Sequence, residues 1–121
     1  MATRTLLRAL AVGAVLSTTA LTVPAANSAI TNYDDCAGGK WCLYDGSDGT
    51  GAVYPNRSPH NNLHNSGWGD RARSFYNNTS NCIQVYEHTH LKGDHYTVWP
   101  GGRGNHTRSW GISSVRVVGC A

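Results

Sequence analysis

The stretch Tyr86–Gly93, Tyr-Glu-His-Thr-His-Leu-Lys-Gly, decides the fold because its spacing occurs twice in the 121-residue chain. In the range Tyr44–Gly51, a tyrosine and an acidic residue again precede a glycine at the same interval, 42 residues earlier. Each copy is later followed by a serine, Ser74 or Ser114, and then by an apolar residue that could begin a strand. A spacing that recurs at a fixed interval indicates an internal repeat. We therefore expect a duplicated unit of about forty residues.

Short runs rich in β-branched and aromatic residues lie between clusters of glycine, asparagine, aspartate and serine. Several runs alternate, so that Ile83 and Val85 would face one side of a strand and Gln84 the other, as in a half-buried strand. Six runs predict strands, at residues 41–44, 52–54, 73–76, 82–86, 95–99 and 112–118. Because each copy has room for about four strands, we predict an all-β sandwich of two Greek-key motifs.

The first residues of the chain have the organisation of a secretory signal peptide. Arg4 and Arg8 supply positive charge, and residues 9–20 form an uncharged run rich in alanine, leucine and valine. A membrane anchor is disfavoured because this run is shorter than the roughly 20 apolar residues that span a bilayer. We predict that residues 1–29 are a signal peptide and that the protein is secreted to the extracellular space.

Cleavage is predicted after Ala29, with Ala25 and Ser28 as alternative positions among the small residues there. The mature chain, residues 30–121, would then form a single domain without membrane association, and we expect a monomer. It keeps eight of the ten basic residues against seven acidic ones, which leaves a formal charge of +1. So small a charge does not indicate a nucleic-acid-binding surface.

All four cysteines, Cys36, Cys42, Cys82 and Cys120, lie in the predicted mature chain. An even number of cysteines in a small exported chain indicates disulfides, and four cysteines allow three pairings. Five residues, two of them glycine, separate Cys36 from Cys42, so a local bridge closes easily. In a Greek key the last strand returns beside the first, which would bring Cys120 close to Cys82. We predict Cys36–Cys42 and Cys82–Cys120.

The two tyrosine-to-glycine spacings, each with a serine opening the last strand of its unit, resemble the βγ-crystallin Greek-key motif. The similarity covers about residues 36–118 and implies a βγ-crystallin-like sandwich of two Greek keys, stapled here by disulfides. That motif prefers an aromatic residue five positions after its first tyrosine, where this chain has Gly49 and Leu91.

The start of the domain, Cys36–Tyr44, resembles the secreted actinobacterial metalloproteinase-inhibitor family, which has the same fold. So does Ala72–Phe75 followed by Asn77 and Thr79. This resemblance implies a secreted peptidase inhibitor, not an enzyme, whose partner is an extracellular peptidase. Inhibitors of that type present the reactive bond on a loop braced by a second short disulfide, and no second cysteine lies near Cys82.

The loop that a short disulfide would brace in this chain is residues 37–41. A braced loop loses little conformational entropy when it docks into a peptidase, which favours binding. We therefore expect Lys40 and Trp41 to be the inhibitory residues.

The same fold also occurs in a small killer-toxin-like group, which gives an alternative function. The protein would then be a secreted toxin or cell-surface-binding protein without protease inhibition. Its contact residues would be Trp68 and Trp110, which lie in glycine-flanked, loop-like stretches. Trp41 and Trp99 lie in strand runs and are predicted to be core residues.

Many βγ-crystallins bind calcium through a six-residue pattern of two Asn/Asp, two variable residues and Ser/Thr-Ser. The matching windows here are residues 69–74 and 109–114, which make Asp70 and Ser113 the candidate ligands. Calcium needs several oxygen ligands. The first window has Arg73 where a hydroxyl belongs, and the second lacks both Asn/Asp residues. We expect no tight calcium binding and no cofactor.

The chain also lacks the motifs that would position a catalytic group. Neither Gly-x-Ser-x-Gly nor His-Glu-x-x-His occurs in the sequence. The adjacent acidic pair Asp34-Asp35 lies near the predicted N-terminus of the mature chain, where it would not hold an acid and a base in register. The sequence therefore does not predict an enzyme.

Overall fold

The computed structural model describes residues 32–120, which form two antiparallel β-sheets. Within this range the strands are β1 (Lys40–Tyr44), β2 (Val53–Asn56), β3 (Ser74–Asn78), β4 (Cys82–His88), β5 (Lys92–Val98), β6 (Arg103–Asn105) and β7 (Ser114–Val118). Short 3₁₀ turns occur at Ser47–Gly49 and Leu63–Ser66. None of the helical segments in the described part of the chain has the length and apolar character to cross a membrane. The predicted signal peptide, residues 1–29, lies outside the described residues.

The strand order shows two interlocked Greek keys. The first sheet has the order β2-β1-β3-β6 and the second the order β5-β4-β7. β3 returns beside β1, and β7 returns beside β4, as the last strand of a Greek key does. β6 belongs to the second half of the chain but pairs with β3 of the first half, and a single bridge between His60 and Val115 makes the reciprocal contact. The predicted sandwich is confirmed, with β6 as a strand that the sequence pattern does not reveal.

The core lies between the sheets and consists of the side chains that strand alternation turns inward. Ile83 and Val85 on β4 are fully buried, whereas Gln84 between them is only half-buried. They belong to one apolar cluster with Trp41 and Leu43 of β1, which are also fully buried. Full burial of one such side chain is worth about 1.5–3 kcal/mol, so this cluster is a main source of stability.

The loop after the first strand of each half repeats one backbone conformation. Positive φ angles recur at three positions 42 residues apart: Asp48, Gly49 and Gly51 (54°, 72° and 81°) and then His90, Leu91 and Gly93 (60°, 59° and 82°). Positive φ is uncommon for residues other than glycine. Its recurrence at Leu91 therefore shows that the fold imposes this loop shape even where the second copy has leucine at the position of Gly49.

The acidic residue that follows the tyrosine of each copy holds the same loop closed. Asp45 Oδ1 accepts a hydrogen bond from the backbone N–H of Ala52 at 2.8 Å. Forty-two residues later, Glu87 Oε1 accepts one from the N–H of Asp94 at 3.2 Å. The duplicated spacing in the sequence thus corresponds to a duplicated hydrogen bond in the structure.

Both disulfides predicted from the sequence are present, Cys36–Cys42 and Cys82–Cys120. The second follows from strand pairing, because Cys82 at the start of β4 lies opposite Val118 at the end of β7. Cys120 follows Val118 by only two residues, so it reaches Cys82 directly. The fold is therefore stapled once in each half.

Candidate functional site

The loop closed by the Cys36–Cys42 disulfide is a turn at one end of the first sheet. The N–H of Gly39 donates to the carbonyl of Asn78 at 2.8 Å. The side-chain amide of Asn78 in turn donates to the carbonyl of Cys36 at 2.8 Å. Gly39 has a φ of 84°, which glycine adopts without strain. The turn is therefore held by a disulfide on one side and by β3 on the other.

Of the two predicted inhibitory residues, only Lys40 is available to a partner. Trp41 is fully buried in the core, and its indole N–H donates to the carbonyl of Ser58 at 3.1 Å. Its predicted core position is confirmed, and this position excludes direct contact with a peptidase. Lys40 is half-buried at the start of β1, opposite Asn78, beside the exposed residues 37–39.

The other tryptophan assignments are partly wrong. Trp99, predicted to be core, is 59% exposed, and it is the one large apolar side chain that is exposed among residues 32–120. Val98 points into the core, so alternation along the strand turns Trp99 outward. Trp68, predicted to be exposed, is buried. It packs against Tyr54, and the guanidinium of Arg71 lies 4.3 Å from its ring centroid.

Trp110 is half-buried rather than exposed, because a polar cluster holds its ring. Asp94 Oδ2 accepts hydrogen bonds from the indole N–H of Trp110 and from Arg108, each at 3.2 Å. The pKa of Asp94 is lowered first by the backbone N–H of His95 and then by Trp110. Arg108 also lies over the ring of Tyr96, 4.7 Å from its centroid, and burial raises the pKa of that tyrosine. Trp110 is therefore held by this polar cluster and by the apolar core against which its ring packs.

The two candidate calcium ligands meet in a cleft of about 540 Å³. Ser113 Oγ donates to Asp70 Oδ1 at 3.2 Å and lies 3.3 Å from His64 Nε2. Across residues 32–120, no three His, Cys, Asp or Glu side chains are grouped closely enough to hold a metal ion. This hydrogen bond joins the carboxylate of Asp70 to a protein hydroxyl and links the two loops that carry Asp70 and Ser113.

The serine that closes the first calcium-type window also has a structural partner. Ser74 Oγ donates to the carbonyl of Gly46 at 2.7 Å and accepts from the N–H of Gly49 at 2.9 Å. Ser74 is fully buried. Its hydroxyl therefore satisfies backbone groups of the repeated loop.

Comparison with known proteins identifies a family and supports the two-Greek-key fold. The model of peptidase inhibitor family I36 matches residues 29–98. A structure solved to trace the evolution of the eye-lens βγ-crystallin domain fold is 17% identical, with a TM-score of 0.65 over 75% of this chain and 96% of that one. A βγ-crystallin from Ciona intestinalis is 23% identical, with a TM-score of 0.58 over 65% and 99% of the two chains. At these identities the likeness shows the fold alone. No curated protein matches the chain.

Proposed function

Because the chain belongs to peptidase inhibitor family I36, we propose that it is a secreted protein that binds and inhibits an extracellular peptidase. The family match is the observation that carries this proposal, since it spans the disulfide-closed loop and the strands β1 to β5. Two disulfides in so small a domain support export to an oxidising compartment. The protein acts by binding rather than by catalysis.

The end of the domain that carries the Cys36–Cys42 loop is the proposed peptidase-binding surface. Residues 37–39 are exposed there, and Lys40 follows them. The disulfide and the hydrogen bonds to Asn78 fix this backbone before binding. Docking then costs little loop entropy, which is the property an inhibitor needs.

The test is a panel of secreted peptidases assayed with the folded mature domain: a thermolysin-type metallopeptidase, subtilisin, chymotrypsin and trypsin. We expect inhibition of at least one. Lys40→Ala should weaken inhibition several-fold, because it removes a contact at the edge of the surface. Lys92→Ala is the matched control, since Lys92 is exposed on β5 of the other sheet. Trp41→Ala is unsuitable because removal of a buried tryptophan costs about 3–5 kcal/mol.

Inhibition that survives Lys40→Ala unchanged in a folded protein would move the site away from this loop. No inhibition of any peptidase would contradict the proposed function itself.

A further inference from the structure

We propose that Trp99 is the residue that anchors the inhibitor in its target, by filling a large apolar specificity pocket of the peptidase; this rests on the proposed function. Its side chain is 59% exposed, whereas the other described apolar side chains of comparable size are buried or half-buried. A single exposed apolar side chain is common on protein surfaces. Trp99 differs from such a residue because its backbone lies in a β-turn that is fixed by several hydrogen bonds.

The residues 99–102 form a type II β-turn. The N–H of Gly102 donates to the carbonyl of Trp99 at 2.8 Å, which closes the turn. Pro100 occupies the second position, where its ring fixes φ, and Gly101 occupies the third with a φ of 80°. Both central residues are therefore the types that this turn requires, and little conformational freedom remains to be lost on binding.

Asn77 clamps this turn from β3. Its carbonyl accepts from the N–H of Gly101 at 2.7 Å, and its N–H donates to the carbonyl of Gly102 at 2.8 Å. Its side-chain amide donates to the carbonyls of Val98 and Asn81 at 2.9 and 2.8 Å. Asn77 is fully buried. These four hydrogen bonds from one fully buried residue fix the backbone of the Trp99 turn against β3.

The Trp99 turn and the Cys36–Cys42 loop lie on the two sides of the end of β3. Asn77 holds the first, and its neighbour Asn78 holds the second. Lys40 lies opposite Asn78 in the strand pairing. The exposed Trp99 and the half-buried Lys40 therefore flank the same strand end, and tryptophan is among the residues most enriched in interface hot spots.

The geometry of the turn also explains why the peptidase would be inhibited by this contact and would not cleave the turn as a substrate. The bond after Trp99 is an X–Pro amide whose nitrogen carries no hydrogen and cannot donate to the enzyme. The backbone bends at residues 99–102 instead of extending along a cleft. A peptidase that binds the indole in its pocket is thus bound tightly by an aromatic side chain. The backbone next to that side chain is not extended for cleavage.

The experiment uses the full mature domain and the same four peptidases, with inhibition constants for the wild type, Trp99→Ala, Trp99→Phe and the surface control Arg116→Ala. Thermal unfolding of each variant shows that it is folded. We expect inhibition of peptidases with apolar pockets in preference to trypsin, whose pocket is acidic. Trp99→Ala should weaken inhibition about 30-fold or more, as loss of a hot-spot residue does. Trp99→Phe should restore most of it, and Arg116→Ala should change nothing.

Two further readouts do not depend on the inhibition constant. On complex formation the wild type should show a blue-shifted tryptophan emission that Trp99→Phe loses, and mass spectrometry should find the bond after Trp99 intact. Equal inhibition by Trp99→Ala and wild type, or inhibition of trypsin alone, would overturn the Trp99 assignment and leave the proposed function standing. Failure of the wild type against every peptidase would overturn both.

Discussion

The hydroxyl of Ser114 donates a hydrogen bond to the backbone carbonyl of His88, with 2.6 Å between the two oxygen atoms. The same hydroxyl accepts from the N–H of Leu91 at 3.0 Å. Ser74 makes the equivalent pair of bonds in the first half, to a carbonyl and an N–H that lie 42 residues before those of Ser114. One serine in each half therefore ties the first hairpin loop to the last strand of its Greek key.

Ser114→Ala should destabilise the domain by about 1–3 kcal/mol, because the partly buried carbonyl of His88 and N–H of Leu91 each lose their partner. Ser74→Ala should have a similar effect, since that serine is also fully buried. Denaturant unfolding measures both. Ser109→Ala is the control, because Ser109 is exposed; equal stabilities for all three variants would contradict this role of the serines.

Removal of the two disulfides should have unequal effects. Replacing both Cys82 and Cys120 by alanine opens a loop of sequence separation 38, and replacing Cys36 and Cys42 opens one of 6. Loop entropy predicts losses of about 4 and about 2 kcal/mol. Chemical denaturation of the two double variants under identical conditions provides the comparison. A larger loss for the short loop would show that native contacts of residues 37–41, rather than loop entropy, dominate.

Calorimetric titration with calcium should show no tight, saturable binding. The hydroxyls of Ser74 and Ser114 donate hydrogen bonds to backbone carbonyls. The carboxylate of Asp70 accepts a hydrogen bond from Ser113. Arg73 adds a positive charge to the first calcium-type window. Arg73→Thr, which supplies a hydroxyl and removes the charge, is the variant in which binding should first become detectable. Tight binding by the wild type would mean that these hydrogen bonds rearrange around the ion.

Asp45 should contribute to the acid sensitivity of the fold. Its hydrogen bond with Arg71 is the first cause that lowers its pKa in the folded protein. A lowered pKa means that the folded state holds the carboxylate better than the unfolded state. This stabilisation is present above the ordinary aspartate pKa of about 3.9 and is lost as the pH falls through the lower folded value.

Asp45→Asn cannot titrate, so its melting temperature should be lower than that of the wild type at neutral pH and should fall less between about pH 5 and pH 2. Thermal unfolding followed by circular dichroism over that range tests this. Asp34→Asn, at an exposed position, is the control. Parallel pH profiles for wild type and Asp45→Asn would contradict the contribution of the ion pair.

The repeat is the most informative feature of the sequence, because residues at matching positions of the two copies make equivalent hydrogen bonds. The acidic residues Asp45 and Glu87 close equivalent loops, and Ser74 and Ser114 bind them to equivalent strands. The same period-two rule that identified β5 would also have turned Trp99 outward, since Tyr96 and Val98 face the core. The Pro-Gly-Gly stretch directly after it marks a turn.

Other features depend on contacts that no local pattern contains. β6 has the sequence Arg-Gly-Asn and is a strand only because it pairs with β3 across the two halves. Trp68 is buried because Arg71 and Tyr54 cover it. The clamp of Asn77 on the Trp99 turn likewise joins residues more than twenty positions apart in the chain.

The central claim, that this chain inhibits an extracellular peptidase, is tested most directly by stoichiometric titration. Increasing amounts of the folded mature domain are added to a fixed amount of active-site-titrated peptidase, first one with a large apolar pocket. Residual activity should fall linearly and approach zero at an equimolar amount, and the inhibitor should remain uncleaved. Unchanged activity across the panel, or steady digestion of the domain as a substrate, would contradict the account and favour a secreted toxin or cell-surface-binding protein.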